Sequence, residues 1–222
     1  FEYYVGGLPK NPKPPFNYKA PFSPVDVIEE YTRPARMKVN GKRITRSALS
    51  EIENINFENV GTLEAFNTDG LRSILVTMDH INNMKEKTLR YPGHAALMAN
   101  YRNAGKFDKE RIRKTSDELF RAWRLEKNEP ELTIMKIIIK IERSKIEYNL
   151  YDEFDVKTGF SSMSRTTGFT ATATVNMVAL NLFNECGVFP PELVGKKLNC
   201  TEYLIDYLFQ KNIKLEKVVS EM

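Results

Sequence analysis

The sequence predicts an α+β domain with a mixed, largely antiparallel sheet and helices packed on one face. Two observations carry that class: strand-like and helix-like stretches alternate irregularly, and the strands come as hairpins, one around Asn40-Gly41 and one joining "LTIMKIIIKIE" to "IEYNLYDEF". A third sets the scale. At 222 residues a single domain covering the whole chain buries roughly 70% of the surface its unfolded form exposes, enough for a core of its own.

Taken in order, "FEYYVGG" reads as a short strand running into a turn at Gly6-Gly7. Residues 6 to 24 then hold six prolines, too many for a helix, among enough aromatics to predict an ordered, extended loop lying over something. Ser23 and Pro24 make an N-cap and first-turn pair for a helix through "VDVIEEY", ending before Pro34. "ARMKV", Asn40-Gly41 and "KRITR" spell a hairpin, because Asn-Gly supplies the two positive φ angles of a type I′ turn.

A strand from Thr62 to Phe66 follows, then a polar turn with Asn67, Asp69, Gly70 and Arg72. "HAALMANYRNAG" has helical spacing with Gly105 placed to end it, and an amphipathic helix is expected over Asp108 to Lys127, in one or two pieces. The first strand of the second hairpin is apolar on nearly both faces, so it belongs inside the sheet, with "RSK" as its turn. "TGFTATATVNMVALNLF" reads as a buried, Ala-rich helix and "TEYLIDYLFQKN" as a last amphipathic one.

Composition excludes several function classes. Apolar residues make up 41% and charged residues 28%, and no apolar run reaches the roughly 18 residues a spanning helix needs, so no membrane partner is expected. Cys186 and Cys200 are too few for a disulfide framework or a four-cysteine zinc site and are expected buried and reduced in a cytoplasmic protein. Residues 85 to 127 hold twelve Lys/Arg against six Asp/Glu, but no nucleic-acid module accompanies them; a solvated helical face is the expectation and nucleic acid is not an expected partner. The first residue is Phe, with no signal-peptide pattern after it, as though an upstream part of a larger protein were absent.

Neither a GxGxxG after a strand nor a GxxxxGK[ST] occurs, and His80 and His94 lie fourteen apart without an HExxH, so no dinucleotide site, P-loop or metal site is encoded. What remains is polar turns expected after strands: Glu64, Asn67, Asp69 and Arg72; Lys87, Arg90, Tyr91 and His94; Arg165, Thr166 and Thr167. Arginines there can read carboxylates with a two-pronged fork, and Glu64 or Asp69 can hold an ammonium. Such a mixture suits an amino acid, or else the arginines pair with neighbouring acids. His94 follows Pro92-Gly93 at a helix start, where the dipole disfavours a charged ring, so it is either a neutral hydrogen-bond partner or an ordinary first-turn histidine.

Six ordered stretches, "GGLPKNPKPPFNYKAPFSP", "YTRPARMKVNGK", "GTLEAFNTDGLRS", "KTLRYPGH", "SRTTGFTA" and "GVFPPE", resemble the C-terminal domain of the saccharopine dehydrogenase family, and look closest to its lysine 6-dehydrogenase-like branch. The resemblance implies a fold of the glyceraldehyde-3-phosphate-dehydrogenase C-terminal type. It implies a preceding Rossmann domain of the same protein that binds NAD or NADP, with neither bound by this chain alone. It further implies that this part binds substrate and builds a homodimer, in an enzyme that oxidises a C–N bond of lysine, saccharopine or a related amino acid. By motif position, Arg72 and Arg90 become carboxylate readers, with Glu64, Asp69, Tyr91 and Thr167 around the same cleft. Tyr18 then approaches the nicotinamide, and His94 and Lys19 are the candidate bases for the amine proton. A dimerisation module of the same family without catalysis is the alternative.

Overall fold

The computed structural model describes residues 1–222. The chain runs β1 (Glu2–Pro9), α1 (Pro24–Thr32), β2 (Ala35–Val39), β3 (Lys42–Arg46), β4 (Glu53–Phe57), β5 (Gly61–Asn67), α2 (Ile74–Thr77) and β6 (Lys85–Arg90). It continues through α3 (His94–Asn103), α4 (Ile112–Ala122), β7 (Glu131–Ile141), β8 (Ser144–Glu153), α5 (Ser162–Ala179), α6 (Pro191–Val194), α7 (Leu198–Gln210) and β9 (Leu215–Glu221). Seven strands form one curled sheet in the order β4-β5-β6-β1-β7-β8-β9, and only the central β1–β6 contact is parallel. The α+β class and the largely antiparallel sheet are as the sequence predicts.

Alternation along the strands separates two cores. On one face Phe66 meets α1, α3 and α4 in a cluster with Val27, Tyr31, Met98, Leu119 and Trp123, while α5 lies on β7 and packs against α7. On the reverse face Tyr4, Leu8, Leu63, Leu89, Leu132 and Ile134 bury one another inside the curl of the sheet. Trp123, which closes α4, is fully enclosed, with the Tyr18 ring at 5.3 Å and the Phe16 ring at 5.9 Å, both edge-on. The Pro-rich loop thus lies over something definite: its aromatics cover the α4 end of the first core.

The Asn40-Gly41 hairpin forms as read, with φ of 49° and 77°, and Gly105 ends α3 at φ 66°. Several local readings change. Gly6-Gly7 is no turn; β1 runs through both, and a side chain at Gly6 would stand 2.8 Å from the Leu89 carbonyl of the neighbouring strand. The second hairpin turns at Glu142-Arg143 rather than "RSK", because Ile141 already pairs with Ser144. Ser23 precedes α1, but its side chain makes no capping hydrogen bond. α4 is shorter than the expected helix, and β4, β9 and β6, which takes in Lys87 and Arg90 that the sequence reads as a turn, are added to the sheet.

The Ala-rich helix is the largest correction. α5 begins at Ser162, taking in Arg165, Thr166 and Thr167 where the sequence predicts a turn, and only Ser162, Arg165, Ala173 and Met177 are buried. Its small residues leave much of it facing outward, with Val175 and Val178 exposed. Cys200 is buried as expected, whereas Cys186 is exposed. Among the described residues, no helix is long and apolar enough to cross a membrane.

Candidate functional site

The turn after β5, the helix-side residues of β1 and β6, and α1 enclose a cleft of about 330 Å³. Strand register brings this about. Glu64 pairs with Arg90 and Phe66 with Thr88, while Tyr3 lies beside Glu86 and Val5 beside Thr88. Glu86, Thr88 and Arg90 therefore all rise on the helix-bearing face, and α1 with the residue after it lays Asp26, Glu29, Glu30 and Arg33 across from them. A larger groove of about 960 Å³, between the β4–β5 turn and α7, is lined by Ile134, Ile205 and Phe209 and gathers no comparable set of buried ionisable groups.

Most carboxylates of the cleft already have a cation. Asp69 takes a two-pronged grip from Arg36, Nε to Oδ1 at 2.9 Å and the terminal nitrogen to Oδ2 at 2.8 Å, with the Arg36 backbone N–H at 3.1 Å. Burial alone would raise the Asp69 pKa, but these bonds outweigh it and hold it below the usual range. Glu29 pairs with Arg33, and Glu30 Oε2 stands 2.5 Å from the Arg90 guanidinium.

Glu86 differs. It is 3% exposed and its Oε2 accepts from the Thr68 hydroxyl at 2.6 Å and the Gly70 N–H at 2.9 Å. Burial, reinforced by the charges of Glu30 and Asp69, pushes its pKa up to about 7 against the pull of those two donors. Gly70 is required here, since a side chain would meet the Glu86 carboxyl carbon at 2.5 Å. At the rim Arg72 is exposed and sits at φ 47°, a left-handed conformation rare for a side chain of its size.

The residues singled out from sequence divide sharply. Asp69 and Arg72 line the cleft, and Arg90 backs it through Glu30. Arg90 itself is 2% exposed, its guanidinium 4.3 Å from the Tyr18 ring, so it is an internal partner of Glu30 and not a surface carboxylate reader. Glu64 is also internal: its carboxylate accepts from Gly93 N–H at 3.0 Å and from Ala95 N–H, capping α3 from a neighbouring strand.

His94 and Tyr18 lie in the first core. His94 is 1% exposed; Nδ1 lies 2.8 Å from the Phe16 carbonyl, which can only accept, so Nδ1 carries the proton and Nε2 accepts from the Tyr31 hydroxyl at 2.9 Å. Burial, then the neighbouring Arg90, drops its pKa to about 3. With both nitrogens engaged and no solvent contact, His94 is unsuited to taking a substrate proton. Tyr18, 2% exposed beneath Arg90, has no path to a nicotinamide. Lys19 donates to the Arg124 carbonyl at 2.7 Å, Tyr91 donates to the Pro9 carbonyl at 3.0 Å and packs on the other face of the sheet, and Thr167 is exposed on α5, bonded to the Met163 carbonyl. None of these three lines the cleft.

The sequence does not single out Glu30 or Glu86. The one available signal was the alternation in "KEKTLR", which puts Glu86, Thr88 and Arg90 on a common side, but nothing in that run says which side is inside.

Fold and cleft define an α+β domain with a small cleft lined by charged side chains, and no dinucleotide-binding strand–turn–helix occurs among the described residues. The saccharopine dehydrogenase C-terminal domain family matches residues 1–213, and the chain belongs to that family. Among solved structures, the apo histidine-tagged saccharopine dehydrogenase (L-Glu forming) from Saccharomyces cerevisiae superposes with a TM-score of 0.77, at 16% identity. The alignment covers 99% of this chain and 66% of that one, just under two thirds, and at that identity the likeness is one of fold. Neither match singles out the lysine 6-dehydrogenase-like branch.

Proposed function

We propose that this domain is the substrate-binding and dimerisation part of an NAD(P)-dependent oxidoreductase acting on a C–N bond of lysine, saccharopine or a related amino acid. The family supports the reaction class, and one observation carries the substrate class: a single cleft presents the exposed Arg72 guanidinium together with Glu30, Asp69 and Glu86. An amino acid is a carboxylate and an ammonium on one carbon, and this cleft offers both complements in a volume suited to a small ligand.

In this reading Arg72 anchors the substrate carboxylate, and the acidic wall formed by α1 and β6 orients the amine. The cofactor supplies the hydride acceptor, and this chain's residues do not fit it: Tyr18 is enclosed and the glycine fingerprint is absent from the sequence. A Rossmann domain of the same protein is the proposed carrier. The helix-bearing face of the sheet beyond the helices, with Ile139, Ile146 and Val219, is the proposed surface of the homodimer.

A two-dimensional NMR titration with L-lysine and saccharopine tests the substrate assignment. Saturable shifts at Thr68 to Arg72 and along α1, lost in Arg72→Ala, are expected. Binding that maps elsewhere, or none, removes the reading.

A further inference from the structure

Every other buried or half-buried carboxylate on the cleft wall is matched by a cation of the protein: Asp69 by Arg36, Glu30 by Arg90, Glu29 by Arg33. Among the described residues Glu86 alone is buried there with no such partner. Its two hydrogen bonds, from a neutral hydroxyl and a backbone N–H, both fall on Oε2, and Oε1 accepts none among the described residues. A buried carboxyl with no counter-ion stays neutral unless one is supplied, and Glu86 borders a cavity from which a ligand can supply it.

We infer that Glu86 is the amine reader of the cleft, pairing as a carboxylate with a protonated amine of the ligand and releasing its own proton to solvent when that ligand binds. The inference rests on the cleft being the substrate site. Proton balance is simple: the carboxylic acid of the free protein becomes a carboxylate, the ammonium keeps its protons, and one proton leaves to solvent.

The surroundings agree. Ionisable side chains that share the cleft are Asp26, Glu29 and Glu30 from α1, Arg33 just past its end, Asp69 and Arg72 from the turn after β5, and Tyr3 from β1. Both carboxylates that act on Glu86 electrostatically, Glu30 and Asp69, favour its neutral form, and it sits near half-protonation around pH 7. An arriving ammonium reverses that balance and draws the proton off. The same negative wall makes an amine the favoured occupant over a second acid.

Calorimetry separates the inference from the reading beneath it. L-lysine and hexanoate, which keeps the carbon chain and carboxylate but lacks both amines, are titrated near pH 7 in two buffers of different ionisation enthalpy. Lysine is expected to bind about tenfold or more tightly, with buffer-dependent heat showing fractional proton release, and hexanoate with none. Glu86→Gln, whose amide oxygen can still accept from Thr68 and Gly70, should erase both the preference and the release. Arg72→Ala should weaken both ligands alike. Equal binding of lysine and hexanoate, or lysine binding without proton release, overturns the amine reader while leaving the Arg72 cleft intact. If neither ligand binds, or Arg72→Ala has no effect, the cleft assignment fails and Glu86 falls with it. Proton release is read on the unmodified protein, so the test holds even if the variant folds poorly.

Discussion

Arg90 and Glu30 form an ion pair of 2.5 Å across the boundary between core and cleft, with the arginine side chain 2% exposed and the glutamate 22%. The arginine is thereby committed to the protein's interior, held also by the Tyr18 ring and by the Leu89 carbonyl at 2.9 Å.

Arg90→Ala should therefore behave as a folding defect. Breaking one side of a buried pair costs about 3–5 kcal/mol, and urea unfolding should register a loss of that order. Arg72→Ala, at an exposed rim position, should change stability by no more than about 0.5 kcal/mol while weakening ligand binding. The two arginines, alike in sequence, are expected to separate cleanly in these two assays.

The pH dependence of stability should carry two opposed contributions. His94 has a folded pKa of about 3 against an ordinary 6.5, so the unfolded state binds the extra proton between them. Its contribution is complete above pH 6.5 and is lost as pH falls toward 3. Glu86 is raised from 4.5 to about 7, so its contribution is complete below pH 4.5 and is lost as pH rises through 7. Urea melts across this range should show Glu86→Gln gaining on the unmodified protein as pH climbs. A constant difference at all pH values would contradict the assignment.

Glu64→Ala should loosen the start of α3. The carboxylate is the acceptor for two backbone donors, and leaving such groups unpaired costs about 1–3 kcal/mol. Hydrogen exchange at Gly93 and Ala95 should accelerate more than at Met98, one turn further along.

What the sequence made legible was local. Asn40-Gly41 dictates its turn through its own φ preferences, and the family motifs mark the chain over most of its length. The cleft depends instead on register between β5 and β6 and on α1 arriving opposite, contacts separated by 60 residues in the case of Arg90 and Glu30. "KEKTLR" looks like a solvated run because charge usually means exposure, yet five of its six residues are buried. Arg90 and Glu64 read as ligand-facing for the same reason: a charged side chain at a strand end satisfies a buried partner or an incoming ligand with the same chemistry, and only the fold distinguishes the two. α5 failed the other way, its alanines suggesting burial where the helix is largely open.

Dimerisation through the open end of the sheet can be checked directly. Ile137 and Ile139 pair with Tyr148 and Ile146, and Ile146 with Val219, making an apolar stripe on which Val219 is 62% exposed. Light scattering should give a dimer, and Ile139→Glu with Val219→Glu a monomer that still binds the same ligands. A monomer in the unmodified protein at high concentration would count against that surface.

The enclosure of Trp123 gives this protein a built-in optical probe. It is the sole tryptophan in the sequence, its ring is fully shielded, and its carbonyl accepts the Ala20 N–H at 2.8 Å, tying α4 to the Pro-rich loop. Intrinsic fluorescence therefore reports one corner of the molecule. If that loop lifts before the sheet melts, the emission will shift to the red while the far-ultraviolet dichroism stays unchanged, and the order of the two events can be read without any label.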